Sequence, residues 1–333
     1  MQGQHSVPSQ YSDSPKDLEV PTEAQLFKDD PDPVVLSAQI AVRLKKIQQT
    51  IPLDYNSHVQ KYISYNTNEK RKVYLAKMLG RSKKFFPIFE SILAQYGIPD
   101  EMKYLAVVES ALNPFAVSRV GATGPWQFMY STALRYNLNI NKRIDERRDP
   151  YAACEAACRY LKETYNLYGN WQLAIASYNC GAGNVNRAIK KAGGSTNFWD
   201  VKPFLPAETQ AYVPSFIAIV YAMKYAGKYG IVPQLLESEN TQRITVRQKI
   251  TVNDLEHFLS IPRQTIIDEN PALLTTFIPP DFTLNLPVSK VVAFNQLQDS
   301  LYSIRNFGNN NVIFKGYFQS YYNFFDQLEN INN

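Results

Sequence analysis

Between Val34 and about Tyr229 apolar residues recur with a helical period, and no stretch alternates convincingly as a half-buried strand does. Leu36, Ile40, Leu44 and Ile47 mark one stripe, and Ile88, Ile92 and Tyr96 another. Most of the chain must therefore bury itself as packed helices. They break at recognisable signals: Gly97-Ile98-Pro99-Asp100 before one, Asn113-Pro114 after it, Gly169-Asn170 between two more, and Gly181 and Gly183 closing the last of these. With 333 residues and 45% hydrophobic content, the chain can fill such a core and still build a smaller second domain.

Past Gly230 the pattern changes. Arg243-Ile244-Thr245-Val246 and Phe282-Thr283-Leu284-Asn285-Leu286 alternate as short strands do. Between them Thr251-Val252-Asn253-Asp254 opens a helix carrying Leu255, Phe258 and Leu259, and Arg263 to Glu269 forms another that ends near Asn270-Pro271. The order strand, helix, helix, strand predicts a small α+β domain over residues 240–290. Residues 1–35, with five prolines, read as a linker or extended arm. The fold class is thus mainly α, with a helical domain over 36–230 (motif core 97–225), the small α+β domain, and a tail over 291–333 with no assigned role.

The net charge of +5 comes from 35 basic and 30 acidic residues interspersed along the chain, which disfavours nucleic acid. It suits an anionic polymer without singling one out. The longest apolar stretches, such as Phe216 to Ala222, fall far short of the roughly 20 residues that span a bilayer, so no transmembrane segment is expected. Residues 1–15 lack the basic start and apolar run of a signal peptide, which fits either a chain whose export signal has been removed or a cytosolic protein. No cysteine near residue 1 could carry a lipid. Cys154, Cys158 and Cys180 form no disulfide framework and read as small packing residues. With no CxxC pair and with His5, His58 and His257 scattered, metal-ligand spacing is absent, and neither metal nor cofactor is expected.

In the helix after Pro99-Asp100, the line Ile98, Met102, Leu105, Glu109, Leu112 follows a core-facing stripe, so Glu109 falls on the wrong face for a solvated carboxylate. Burial among leucines raises a carboxyl's pKa and keeps it protonated near neutral pH, as a general acid requires. A buried Glu satisfied by a cap or an arginine has the same spacing. The downstream segments favour a cleft. Gly121-Ala122-Thr123-Gly124-Pro125 is a glycine-hinged loop, and Trp126-Gln127-Phe128-Met129 sets an amide among aromatics and sulfur, a mixture suited to sugars. Ser177-Tyr178-Asn179 ends a helix with a phenol and an amide before two glycines, and Glu208-Thr209-Gln210-Ala211-Tyr212-Val213 opens one. Taken alone, Tyr178 can equally be packing, and Glu208 can simply favour the positive end of a helix dipole.

Together, Glu109-Ser110 with Asn113-Pro114, the run Gly121 to Met129, Ser177-Tyr178-Asn179 and Glu208 to Val213 resemble the lytic transglycosylase family with the soluble lytic transglycosylase fold, most of all its membrane-bound lytic murein transglycosylase D group. Ile144-Asp145-Glu146-Arg147-Arg148-Asp149-Pro150 is similar to a segment of that group. The resemblance implies a lysozyme-like helical domain acting on peptidoglycan glycan strands in the periplasm or cell envelope, outer-membrane association included. It implies cleavage of the bond from N-acetylmuramic acid to N-acetylglucosamine without water, leaving 1,6-anhydro ends. Glu109 would serve as both acid and base, because the attacking hydroxyl belongs to the substrate, unlike the two-carboxylate arrangement. Ser110, Gln127, Phe128, Met129, Tyr178 and Asn179 would line or flank the substrate, with support from Glu208 and Tyr212. Pro125, Ser177 and Cys180 depart from common family residues and bear only on cleft width.

Residues 243–287 resemble a LysM glycan-binding module, although Gln248-Lys249-Ile250-Thr251 stands where the usual Gly-Asp-Thr turn would be. A lysozyme-type muramidase on the same fold and a catalytically silent wall-binding protein remain as alternatives.

Overall fold

The structure is a computed structural model that describes residues 9–11, 13, 34–237 and 239–296. Most of the expected arm and all of the tail beyond position 296 lie outside the described residues. The chain divides into two compact units, residues 5–237 and residues 238–333 with 1–4.

The described helices of the first unit are α1 (Val34–Ile47), α2 (Ser57–Thr67), α3 (Lys72–Tyr96), α4 (Lys103–Ser110), α5 (Tyr130–Arg135), α6 (Pro150–Tyr168), α7 (Trp171–Cys180), α8 (Ala182–Lys191), α9 (Phe198–Val201) and α10 (Ala207–Lys224), joined by loops that carry three isolated β-bridges. The caps explain the boundaries. Asn56, Asp149 and Asn170 accept from backbone N–H groups of the first turns they precede, and Pro150 follows Asp149 at the first position of α6. Gly97 and Gly169 close α3 and α6 in the left-handed region. Gly183 does not close a helix as expected; it lies in the first turn of α8, and Gly181 alone makes the break.

Helix α10 is the centre of this unit, packed against α1, α2, α3, α4 and α7. Every residue from Ala211 to Met223 is buried, so its apolar run is that of a helix enclosed by others. No helix among the described residues is long and apolar enough to cross a membrane. The thiols of Cys154 and Cys158 are fully buried in α6, and burial pushes that of Cys154 well above its usual range.

Helix α4 is shorter than the apolar stripe suggested. A 3-10 turn, Asp100–Met102, leads into it, and Ala111 (φ 53°) and Leu112 (φ 61°) both turn left-handed after Ser110. Leu112 is buried but no longer on the helix, so the stripe ends one turn early.

The expected arm contributes a strap to this unit. Ser9–Tyr11 forms a 3-10 turn, and the fully buried Tyr11 ring lies 5.4 Å from Phe115 and 6.5 Å from Phe85. Asp13 pairs with Arg81 at 2.7 Å, both side chains almost wholly enclosed. Arg81 also donates to the Ala111 carbonyl (3.2 Å), and the Asn113 amide donates to the Tyr11 carbonyl (2.8 Å). The strap therefore braces the left-handed turn that follows α4.

In the second unit β1 (Thr241–Thr245) pairs antiparallel with β4 (Thr283–Pro287), from Thr241 opposite Pro287 to Thr245 opposite Thr283. Between them come β2 (Ile250–Thr251), α11 (Val252–Leu259), α12 (Arg263–Glu269) and β3 (Phe277–Ile278), with β2 antiparallel to β3. A capping box between Thr251 and Asp254 opens α11. The buried Asn270 side chain donates to the Asn285 carbonyl (2.9 Å) and accepts from the Asn285 N–H (2.7 Å), fastening the end of α12 to β4. Residues 288–296 are helical and bring Val291 and Phe294 into this unit's core, so its packing runs past position 290.

Candidate active site

Glu109 is the penultimate residue of α4. Its carboxyl lies among buried groups, and this desolvation raises its pKa from 4.5 to about 8, assisted by the negative charge of Glu208. One hydrogen bond opposes the shift: the Tyr212 hydroxyl donates to Glu109 Oε1. Burial and the nearby acid hold the Tyr212 phenol well above its usual range, so it stays a neutral donor. Tyr212 stands on the fully enclosed part of α10, which places the phenol with little freedom.

The remaining expected residues fall into three groups. Tyr178, on α7, feels the charge of Glu109, and burial keeps its phenol protonated. Its hydroxyl donates to the Trp126 carbonyl (2.8 Å), and its ring meets Phe128 and Tyr160 edge-on at 6.0 and 5.1 Å. Asn179 accepts from Thr209 Oγ1 (2.6 Å) and donates more weakly to Glu208 (3.4 Å), which ties the end of α7 to the start of α10. Glu208 is exposed at the mouth of this group.

Ser110 and Phe128 were expected to line the substrate, and the structure places both inside. Ser110 is fully buried; its hydroxyl lies 2.8 Å from the Pro125 carbonyl and 3.2 Å from that of Ala106, and accepts from Asn113 N–H (3.1 Å). Phe128 is 3% exposed and serves as packing for Tyr178. Met129, at 42% exposure, does face outward. Gln127 is half-buried with φ 48°, and its amide N–H groups are used on the carbonyls of Gly124 (2.8 Å) and Ala116 (3.2 Å). Gln127 thus shapes the loop from within.

Two contributors were not singled out from the sequence. Thr209 orients Asn179, and Arg147 reaches the Gly121 to Phe128 loop, donating to the Gly121 carbonyl (3.0 Å) and more distantly to that of Phe128 (3.3 Å). For Thr209 the position beside Glu208 was a signal. For Arg147 the only signal was the resemblance of residues 144–150.

The arrangement can deliver a proton at neutral pH from one half-buried carboxyl that accepts a hydrogen bond from a phenol. It offers no second carboxyl in an equivalent setting among the residues that act on Glu109, since Glu208 is exposed and bonded to Asn179.

Residues 87–199 match the family model described as the transglycosylase SLT domain. The chain is 35% identical over 190 residues to the membrane-bound lytic murein transglycosylase D of Escherichia coli K12, covering 56% of this chain and 40% of that protein. It is 34% identical over 124 residues to the membrane-bound lytic murein transglycosylase C of Yersinia pestis strain Pestoides F, covering 33% of this chain and 34% of that one. The chain therefore spans well under half the length of these relatives. The 70 kDa soluble lytic transglycosylase of Escherichia coli aligns in three dimensions with a TM-score of 0.39 and 21% identity, over 55% of this chain and 33% of that one.

Proposed function

We propose that the chain, whose residues 87–199 match the transglycosylase SLT domain model, cleaves the β-1,4 bond between N-acetylmuramic acid and N-acetylglucosamine in peptidoglycan without water. The observation that carries this reading is the single carboxyl of Glu109, held at about 8 and bonded to Tyr212. Tyr212 occupies Oε1, so the proton that reacts is carried on Oε2. Glu109 gives that proton to the glycosidic oxygen as the bond to C1 breaks. The resulting carboxylate then takes the proton from the muramic C6 hydroxyl as that oxygen closes on C1. One proton leaves and one returns, and a 1,6-anhydro end is formed with no cofactor. A lone acid suffices for this sequence, whereas hydrolysis by two carboxylates needs a second one across the bond. The substrate places the protein in the cell envelope.

Digestion of purified sacculi with mass spectrometry of the products tests the proposal. Anhydro ends, lighter by one water than reducing ends, are expected. Glu109→Gln should lose activity by about 10²-fold to 10⁴-fold, the usual contribution of a general acid. Reducing ends would make the protein a lysozyme-type muramidase, and binding without cleavage would make it a silent glycan-binding protein.

A further inference from the structure

Arg147 lies in the turn before α6, and its guanidinium is aimed by Asp145. Nε and Nη2 donate to the two Asp145 oxygens at 2.9 and 2.7 Å, and the backbone N–H of Arg147 adds a third bond to Oδ1 (3.1 Å). The pair is nearly enclosed, with side-chain exposures of 11% and 5%. Thus neutralised, Arg147 has little charge to offer a distant ligand. What it has left is Nη1, which donates to the carbonyls of Gly121 (3.0 Å) and Phe128 (3.3 Å), the two ends of the cleft loop. Its own carbonyl lies against the loop's middle: a Cβ on Gly124 would stand 1.7 Å from Arg147 O. Gly124 is also left-handed (φ 86°), so both backbone conformation and space exclude a side chain there.

The same loop is also held by two groups near Glu109, with Ser110 on the Pro125 carbonyl and Tyr178 on the Trp126 carbonyl. The loop that presents Gln127 and Met129 is therefore clasped between Arg147 and the neighbours of Glu109. We propose that Arg147 is a positioning residue for substrate: it sets the depth and register of the Gly121 to Met129 loop, and through it the fit of the glycan, without touching the glycan itself. This rests on the proposed glycan cleavage for its kinetic consequence, but not for its structural one. A planar fork bonding three ways is what arginine supplies and lysine, a point charge, does not.

The test uses the full chain with Arg147→Lys, which keeps the charge, and Gly124→Ala, which pushes the Arg147 turn away from the loop. Hydrogen exchange by mass spectrometry should show faster exchange confined to peptides covering 121–129, with those from α4 and α10 unchanged. On soluble glycan strands, KM should rise about tenfold, a binding change of about 1.4 kcal/mol, with the pH profile of kcat unmoved. General destabilisation would instead lower the active fraction, cutting apparent kcat at constant KM. Unchanged exchange in 121–129, exchange raised equally across the unit, or an unmoved KM overturns the proposal. If the parent chain cleaves no glycan, the cleavage reading fails by itself and the exchange result decides the role of Arg147.

Discussion

At the scale of single residues, the proposed chemistry turns on the titration of Glu109. With its pKa raised to about 8, the carboxyl is protonated below that value and loses its acid form as pH rises through it. Rate on glycan should therefore fall on the alkaline side of about 8. The Tyr212 bond favours the ionised carboxyl, so Tyr212→Phe removes a stabiliser of the charged form and should move that alkaline limb to higher pH, with lower kcat from the looser acid. A limb that stays in place or moves down would show that Tyr212 does not govern the proton. Glu109 was legible because a charged residue on an apolar stripe is costly unless it has a use. That Ser110 and Phe128 point inward was not legible, because adjacency to a functional motif says nothing about which way a side chain points. Arg147 was not legible as a clasp, since its partners in the loop are carbonyls, and every residue has one.

At the scale of elements, the turn after α4 decides where the acid sits, and the strap from residues 9–13 supports it. Replacing Asp13 with Asn leaves Arg81 charged and enclosed without its counter-ion, which for a buried pair costs about 3 kcal/mol or more. A lower urea midpoint for the helical unit of Asp13→Asn is expected, and a loss under about 1 kcal/mol would show the strap to be a minor support. Helical periodicity found the helices, and capping residues found several of their ends. It could not find the strap, because Asp13 and Arg81 are separated by 68 positions and the surrounding segment carries no period. Nor could it foresee Ala111 and Leu112 turning left-handed, a conformation that neither side chain favours and that the Arg81 bond to the Ala111 carbonyl helps to hold.

At the scale of the whole molecule, the second unit has a core of its own, including Val246, Leu255, Ile266, Leu284 and Phe294. A fragment of residues 238–333 should fold by itself and, by its LysM resemblance, be retained on purified sacculi. A folded fragment that stays in the supernatant would remove the binding role. The switch from helical to alternating pattern after Gly230 made this unit readable in outline, while β2 and β3, two residues each, are too short to carry any period.

Tyr212, the hydrogen-bond partner of Glu109, stands on α10, whose stretch from Ala211 to Met223 is wholly buried. Small units often open locally at modest cost, and active sites are commonly drawn from such soft regions. Here Tyr212 stands at the start of the wholly buried stretch of α10, so releasing it would expose core residues, and the acid's setting is expected to be lost with the unit's cooperative melting. Catalytic competence on warming should accordingly hold level until the helical unit itself unfolds, then vanish with it.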